Sequence, residues 1–163
     1  MYIVLSSSKF WFNYRHSLNA FQFYQYLKQS GVTDDKIMLM VPTDHGCSPK
    51  NIFPGTLYHE ESHTQNWLCD DVEVDYKAED LTAESILNLL RGRYEDLLPK
   101  SKRLITGPNT RIFIYFNGHG GNGFFKIQDT DLVHSPDLAK VLKEMHQKKL
   151  YKEILFIIDT CQG

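Results

Sequence analysis

Four runs along this chain are apolar without polar alternation: Tyr2 to Leu5, Ile37 to Val41, Ile112 to Phe116 and Ile154 to Ile158. Runs of that length suit strands buried on both faces, as in a parallel sheet covered by helices. Between them the period changes to that of a helix. Leu18, Phe21, Tyr24 and Leu27 recur every three residues in a segment running to about Gln29 and closed by Gly31. Ile86, Leu89 and Leu90 follow Thr82, a capping residue, and Leu138, Val141, Leu142 and Met145 follow Ser135-Pro136, a strong helix start. Strand alternating with helix in this order predicts a parallel α/β sheet with right-handed crossovers, in a single domain over residues 1–163. Val72 to Tyr76 alternates, which predicts a strand with Glu73 and Asp75 on one face, and Gly123 to Gln128 predicts a small hairpin. From Pro42 to Leu68 the residues turn to His, Asn, Pro and Gly with no period, which predicts a long loop.

Two of the apolar runs end in a reactive side chain at a glycine-rich turn: Arg111 to Asn117 leads into Gly-His119-Gly-Gly, and Glu153 to Asp159 leads into Thr-Cys161-Gln-Gly. In open α/β sheets the reactive groups gather just outside the carboxyl ends of the strands, so His119 and Cys161 are expected to be neighbours. A cysteine near its ordinary pKa of about 8.5 is only a few per cent thiolate at neutral pH, and a nearby histidine that takes its proton makes it a nucleophile. The amide N–H groups of Gly120 and Cys161 are candidate donors to a developing oxyanion. Asn13, near the end of the first strand, has two readings: hydrogen bonding to the His119 imidazole, or capping the helix that follows. Asp159 likewise either lines a pocket for a substrate side chain or accepts loop amides.

Composition narrows the partners. The 163 residues are 42% apolar and 23% charged with a formal net charge of −2, the balance of an ordinary globular domain. There is no basic stripe, and Lys100-Ser-Lys-Arg103 reads as a solvated loop, so nucleic acid is disfavoured. No apolar run approaches the ~20 residues of a spanning helix, and no signal-peptide pattern opens the chain. Three cysteines cannot all pair with one another. Asp34, Asp35, Asp70, Asp71, Glu73 and Asp75 form the acidic concentration. Such a cluster is either solvated surface or an oxygen-ligand set for Ca²⁺, with Asp34, Glu73, Val74 and Asp75 as the candidate ligands, a backbone carbonyl included. His45, Cys47, His59 and His63 fit no zinc spacing and read as loop residues.

The stretches Phe113 to Asp129 and Leu155 to Gly163, with Trp11-Phe-Asn-Tyr-Arg-His16, Asp70 to Tyr76 and Pro99 to Leu104, resemble the catalytic subunits of the glycosylphosphatidylinositol (GPI) transamidase. These are legumain-like cysteine peptidases related to caspases, whose nucleophile wording Thr-Cys-Gln-Gly approximates and whose histidine also lies roughly 50 residues upstream. The resemblance implies a caspase-like sheet and a transamidase in the endoplasmic reticulum membrane, with its chemistry on the lumenal side. It implies a Cys161 thioester resolved by the ethanolamine amine of a GPI lipid, precursor proteins with a C-terminal GPI signal as substrates, and other transamidase subunits as partners, with Cys47 as the inter-subunit disulfide. It also favours structural calcium, and a chain that is a fragment of a longer protein with a signal, further strands and a membrane helix. A legumain-type endopeptidase, in which water resolves the same intermediate, and an inactive assembly module are the alternatives.

Overall fold

Four parallel strands and three helices form the body of the computed structural model, which describes residues 1–68 and 72–162. In chain order the elements are β1 (Tyr2–Ser6), α1 (Tyr14–Gln29), β2 (Ile37–Met40), α2 (Ala83–Arg91), β3 (Arg111–Asn117), β4 (Gly120–Gly121), β5 (Phe124–Ile127), β6 (Asp131–His134), α3 (Ser135–Gln147) and β7 (Glu153–Asp159). The main sheet runs β2-β1-β3-β7, every pair parallel, and β4-β5-β6 form a small antiparallel sheet beside it. The expected hairpin after His119 is therefore three strands, because Asp131–His134 also pairs with β5.

Helices cover both faces. On one, Leu18, Phe21 and Tyr24 of α1 pack on Val4 and Leu39; on the other, Ile86, Leu89 and Leu90 of α2 with Val141 and Met145 of α3 pack on Ile3, Leu5, Ile112 and Ile114. Each helix is set by the residues around it. The Thr82 hydroxyl accepts the Ser85 N–H while the Ser85 hydroxyl accepts the Thr82 N–H, a reciprocal cap on α2, and Pro136 sits in the first turn of α3.

Two expectations from the apolar pattern are corrected. β7 is not buried on both faces: Leu155 is 58% and Ile157 42% exposed, because α1 lays Phe23 against Phe113 and Tyr115 of β3 and reaches no further. Residues 72–76 are not a strand either. They reach β2 through a single bridge, Met40 to Tyr76, with a bend at Asp75. The Asp75 carboxylate accepts the Leu39 N–H at 2.8 Å where a neighbouring strand would offer a carbonyl, and the Asp75 N–H returns a bond to the Leu39 carbonyl at 2.9 Å. A side chain thus completes the edge ladder. Cys69, Asp70, Asp71 and Gly163 lie outside the described residues. Among the described residues, no helix is long and apolar enough to cross a membrane.

Partial burial, then the nearby Glu73 and Asp34 carboxylates, push the Asp75 carboxyl up to about 6 despite the Leu39 bond that opposes the shift. The folded protein therefore holds a proton that the unfolded chain has released, so this group's contribution is complete below about pH 4 and is lost as pH rises through about 6. Asp75→Asn keeps an acceptor for Leu39 and removes the titration. Denaturant unfolding in chelator is expected to show the variant more stable than the parent at pH 7.5 by about 1 kcal/mol, with the gap closing toward pH 4.

Candidate active site

β3 and β7 end at the same level, with Asn117 opposite Asp159 in the register. Each strand then delivers its reactive residue two positions later. The turns that follow are tied together on both sides of His119. The Gly118 N–H donates to the Asp159 carbonyl at 3.2 Å. Gly120 packs so closely on the next strand's exit that a Cβ there would stand 2.5 Å from Thr160 Oγ1 and 2.9 Å from the Phe124 carbonyl. A Cβ on Gly118 would stand 1.9 Å from Ser7 Oγ. Only glycine leaves room for backbones to approach this closely. The residues flanking His119 are thus held against the two residues that precede Cys161, an exposed free thiol.

The imidazole is held from a third direction. Asn13 is buried, and its Oδ1 lies 2.9 Å from His119 Nε2. Although Asn13 stands at the start of α1, its side chain makes no capping bond; of its two sequence readings, the structure displays the bond to histidine. With Oδ1 as acceptor, Nε2 carries the proton and Nδ1 is left as the basic nitrogen. Asp159 is held as well: its Oδ2 accepts from Asn117 Nδ2 at 2.6 Å and from the Tyr115 hydroxyl at 3.1 Å. Burial and then the Asp159 carboxylate raise the Tyr115 phenol above its ordinary range, so it stays a donor.

Several polar atoms here are buried with no hydrogen-bond partner among the described residues: Ser7 Oγ, Asn13 Nδ2, Asn117 Oδ1 and Thr160 Oγ1. All four belong to residues around the carboxyl ends of β1, β3 and β7. Orphaned buried polar groups cost roughly 1–3 kcal/mol each, and four of them gather at this end of the sheet, where a ligand or water could satisfy them.

Sequence reasoning passed over His16, quoted only inside its motif. It is buried three residues after Asn13 in the first turn of α1, with Nδ1 2.8 Å from Ser8 Oγ and its ring 5.0 Å from that of His119, edge to face. The available signal was the i, i+3 spacing, which places Asn13 and His16 as neighbours on one helical face.

The remaining candidates lie apart. Asp34, Glu73 and Asp75 line a cavity of about 820 Å³ with Met1, Ile37 and Arg111, at the amino ends of the strands and so opposite to His119. Asp34 also accepts the Tyr24 hydroxyl at 2.7 Å and faces Lys28 at 3.6 Å, and Val74 is half-buried beside Glu73. Among the described residues, no three His, Cys, Asp or Glu side chains are gathered as a metal group. Cys47 is exposed and free, and the Asp44 carboxylate beside it raises its thiol pKa. His45 is buried edge-on to Trp11, with Nε2 3.4 Å from the Lys9 carbonyl.

A parallel α/β sheet that carries a glycine-flanked histidine, backed by asparagine, and a free cysteine on two joined turns at one end of its strands has the plan of a cysteine peptidase. The chain belongs to the Peptidase C13 family, which it matches over residues 1–163. It is 44% identical to a GPI-anchor transamidase of Saccharomyces cerevisiae and 44% identical to one of Homo sapiens, in each case over 161 residues, 99% of this chain. A putative GPI-anchor transamidase of Drosophila melanogaster is 39% identical over the same share. The chain spans 39%, 41% and 45% of the lengths of these three relatives.

The packing at Gly120 gives a direct check. Gly120→Ala forces a methyl onto Thr160 and the Phe124 carbonyl, and thermal unfolding is expected to report a loss of about 1–3 kcal/mol. Adding Thr160→Ala is expected to recover only part of the loss, since the backbone clash remains.

Proposed function

We propose that the protein is the catalytic part of a GPI-anchor transamidase. The observation that carries this reading is the joining of the His119 and Cys161 turns, with Asn13 holding the imidazole. His119 Nδ1 takes the proton of the Cys161 thiol, and the sulfur attacks a peptide carbonyl near the C-terminus of a precursor protein. The N–H groups of Gly120 and Cys161 receive the charge developing on oxygen. His119 returns its proton to the leaving amine as the C–N bond breaks, which leaves a thioester on Cys161. The ethanolamine amine of a GPI lipid then attacks the thioester, loses a proton to His119, and releases the thiol with a new amide bond formed. Asp159, oriented by Asn117 and Tyr115, presents its carboxylate to the substrate side chain. The names of the relatives favour an amine over water as the acceptor, and the reaction belongs on the lumenal side of the endoplasmic reticulum membrane, within a complex of transamidase subunits.

Hydroxylamine or hydrazine separates the two acceptors. Given to the full-length protein with a precursor, either amine is expected to release the precursor as its hydroxamate or hydrazide, and Cys161→Ala and His119→Ala are each expected to abolish that product. A free carboxylate product at the same rate with and without the amine would instead identify a hydrolytic endopeptidase.

Cys47, exposed on the long loop, is proposed as the inter-subunit disulfide, which an oxidising compartment permits. On non-reducing gels of the whole complex, Cys47→Ser is expected to collapse a high-mass band while transamidation is only weakened; an unchanged band refutes the assignment. Calcium in the acidic cavity is proposed as a structural ion only, drawing Asp34, Glu73, the Val74 carbonyl and Asp75 together. Millimolar calcium is expected to raise the unfolding temperature of the parent and to leave that of Asp75→Asn unmoved.

A further inference from the structure

Asn13 alone leaves the His119 ring one freedom. A hydrogen bond at Nε2 fixes one end of the imidazole, but the ring can still swing about the Nε2 to Oδ1 line and carry Nδ1 away from the thiol. The structure supplies a second bearing from the same helical turn. His16 presses on the His119 ring edge to face at 5.0 Å with the planes 80° apart, and is itself pinned by Ser8 at 2.8 Å. Ser8 comes from the loop leaving β1, next to Ser7, which packs under Gly118. β1, α1 and β3 therefore converge on one imidazole.

We propose that His16 is a positioning residue: a buried ring, locked by Ser8, that fixes the plane of His119 so that Nδ1 stays turned to Cys161. This rests on the assignment of His119 and Cys161 as the reacting pair. His16 suits the task because it remains uncharged. Burial first, then the charges of Arg15 and of His119, hold its pKa down to about 4 against the weaker pull of Asp159 and Asp129. Those four groups, from α1, the β3 turn, the end of β7 and the turn after β5, are the charged and titratable neighbours that act on it. A neutral neighbour lets His119 accept the thiol proton without meeting a second positive charge at 5 Å. His16 takes no proton in the reaction and touches no substrate.

The test uses the rate at which iodoacetamide alkylates Cys161 in the full-length protein as a function of pH, a readout of thiolate that needs neither a precursor nor a GPI lipid. Cys161→Ser identifies the signal, and His119→Ala defines the profile of an unassisted thiol. If His119→Ala leaves the profile of the parent unchanged, the reacting pair itself is wrong and this inference falls with it. If His119→Ala alters the profile, the His16 variants decide. His16→Ala is expected to slow alkylation at pH 7 about tenfold and to move the profile toward that of an ordinary thiol. Ser8→Ala removes one hydroxyl and frees the ring, with an expected loss of about threefold. His16→Phe combined with Ser8→Ala restores a ring with no orphaned hydroxyl and is expected to stay within about threefold of the parent. Parent-like profiles in His16→Ala and Ser8→Ala overturn the proposal, and should His16→Ala fail to fold, the Ser8→Ala profile decides alone. Loss in the phenylalanine double variant equal to that in His16→Ala also overturns it, because a ring packed in the same place, even without the Ser8 bond, should hold the His119 plane about as well as Ser8→Ala does.

Discussion

The hydrogen-bonded register between β3 and β7 is the constraint on which the rest depends. Seven residue pairs in parallel register, from Arg111 opposite Glu153 to Asn117 opposite Asp159, bring two glycine-rich turns out of the sheet at one level. A parallel ladder slipped by one residue would turn each side chain on β7 to the other face, and would move Asp159 off Asn117 and Tyr115. The residues two beyond the matched pair, His119 and Cys161, then leave the sheet in two turns that are tied to each other. The Gly118 bond to the Asp159 carbonyl and the fit of Gly120 against Thr160 lock the level.

Around that pair the first strand and first helix act as a clamp. β1 lies between β2 and β3, so the loop that leaves it brings Ser7 under Gly118 and Ser8 onto His16. The first turn of α1 then offers two residues to one imidazole, Asn13 through a hydrogen bond and His16 through its ring. The site is thus built by elements from both ends of the chain, more than a hundred residues apart in sequence. Their mutual placement is carried by the buried sheet rather than by the loops.

Much of this was legible from residue order. Unalternated apolar runs mark the four strands, three-residue periodicity marks α1, and the rule that reactive groups gather at strand ends points to the turns after β3 and β7, which do leave the sheet at one level. What failed did so where a tertiary partner overrides a local pattern. Val72 to Tyr76 alternates like a strand, yet Asp75 spends its carboxylate on the Leu39 N–H, and one bridge replaces a ladder. The run Ile154 to Ile158 looks buried on both faces, but burial depends on what α1 reaches, and α1 stops at Phe113 and Tyr115. β6 was missed because Asp131 to His134 carries no apolar run. His16 escaped notice because a histidine in a first helical turn has no pattern of its own; only its contact with His119 gives it meaning.

The central claim is spatial: the turns after β3 and β7 place residues 119 and 161 in contact. With Cys47 and Cys69 changed to serine in the full-length protein, His119→Cys leaves thiols at positions 119 and 161 and nowhere else in residues 1–163. Mild oxidation followed by mass spectrometry of the proteolytic peptides is then decisive, because a disulfide forms only between cysteines whose Cα atoms lie within about 7 Å. The account predicts an intrachain bond between Cys161 and the thiol introduced at position 119, forming in high yield and reversed by reductant. Two thiols that both alkylate freely after oxidation, in a protein that remains folded, would contradict it.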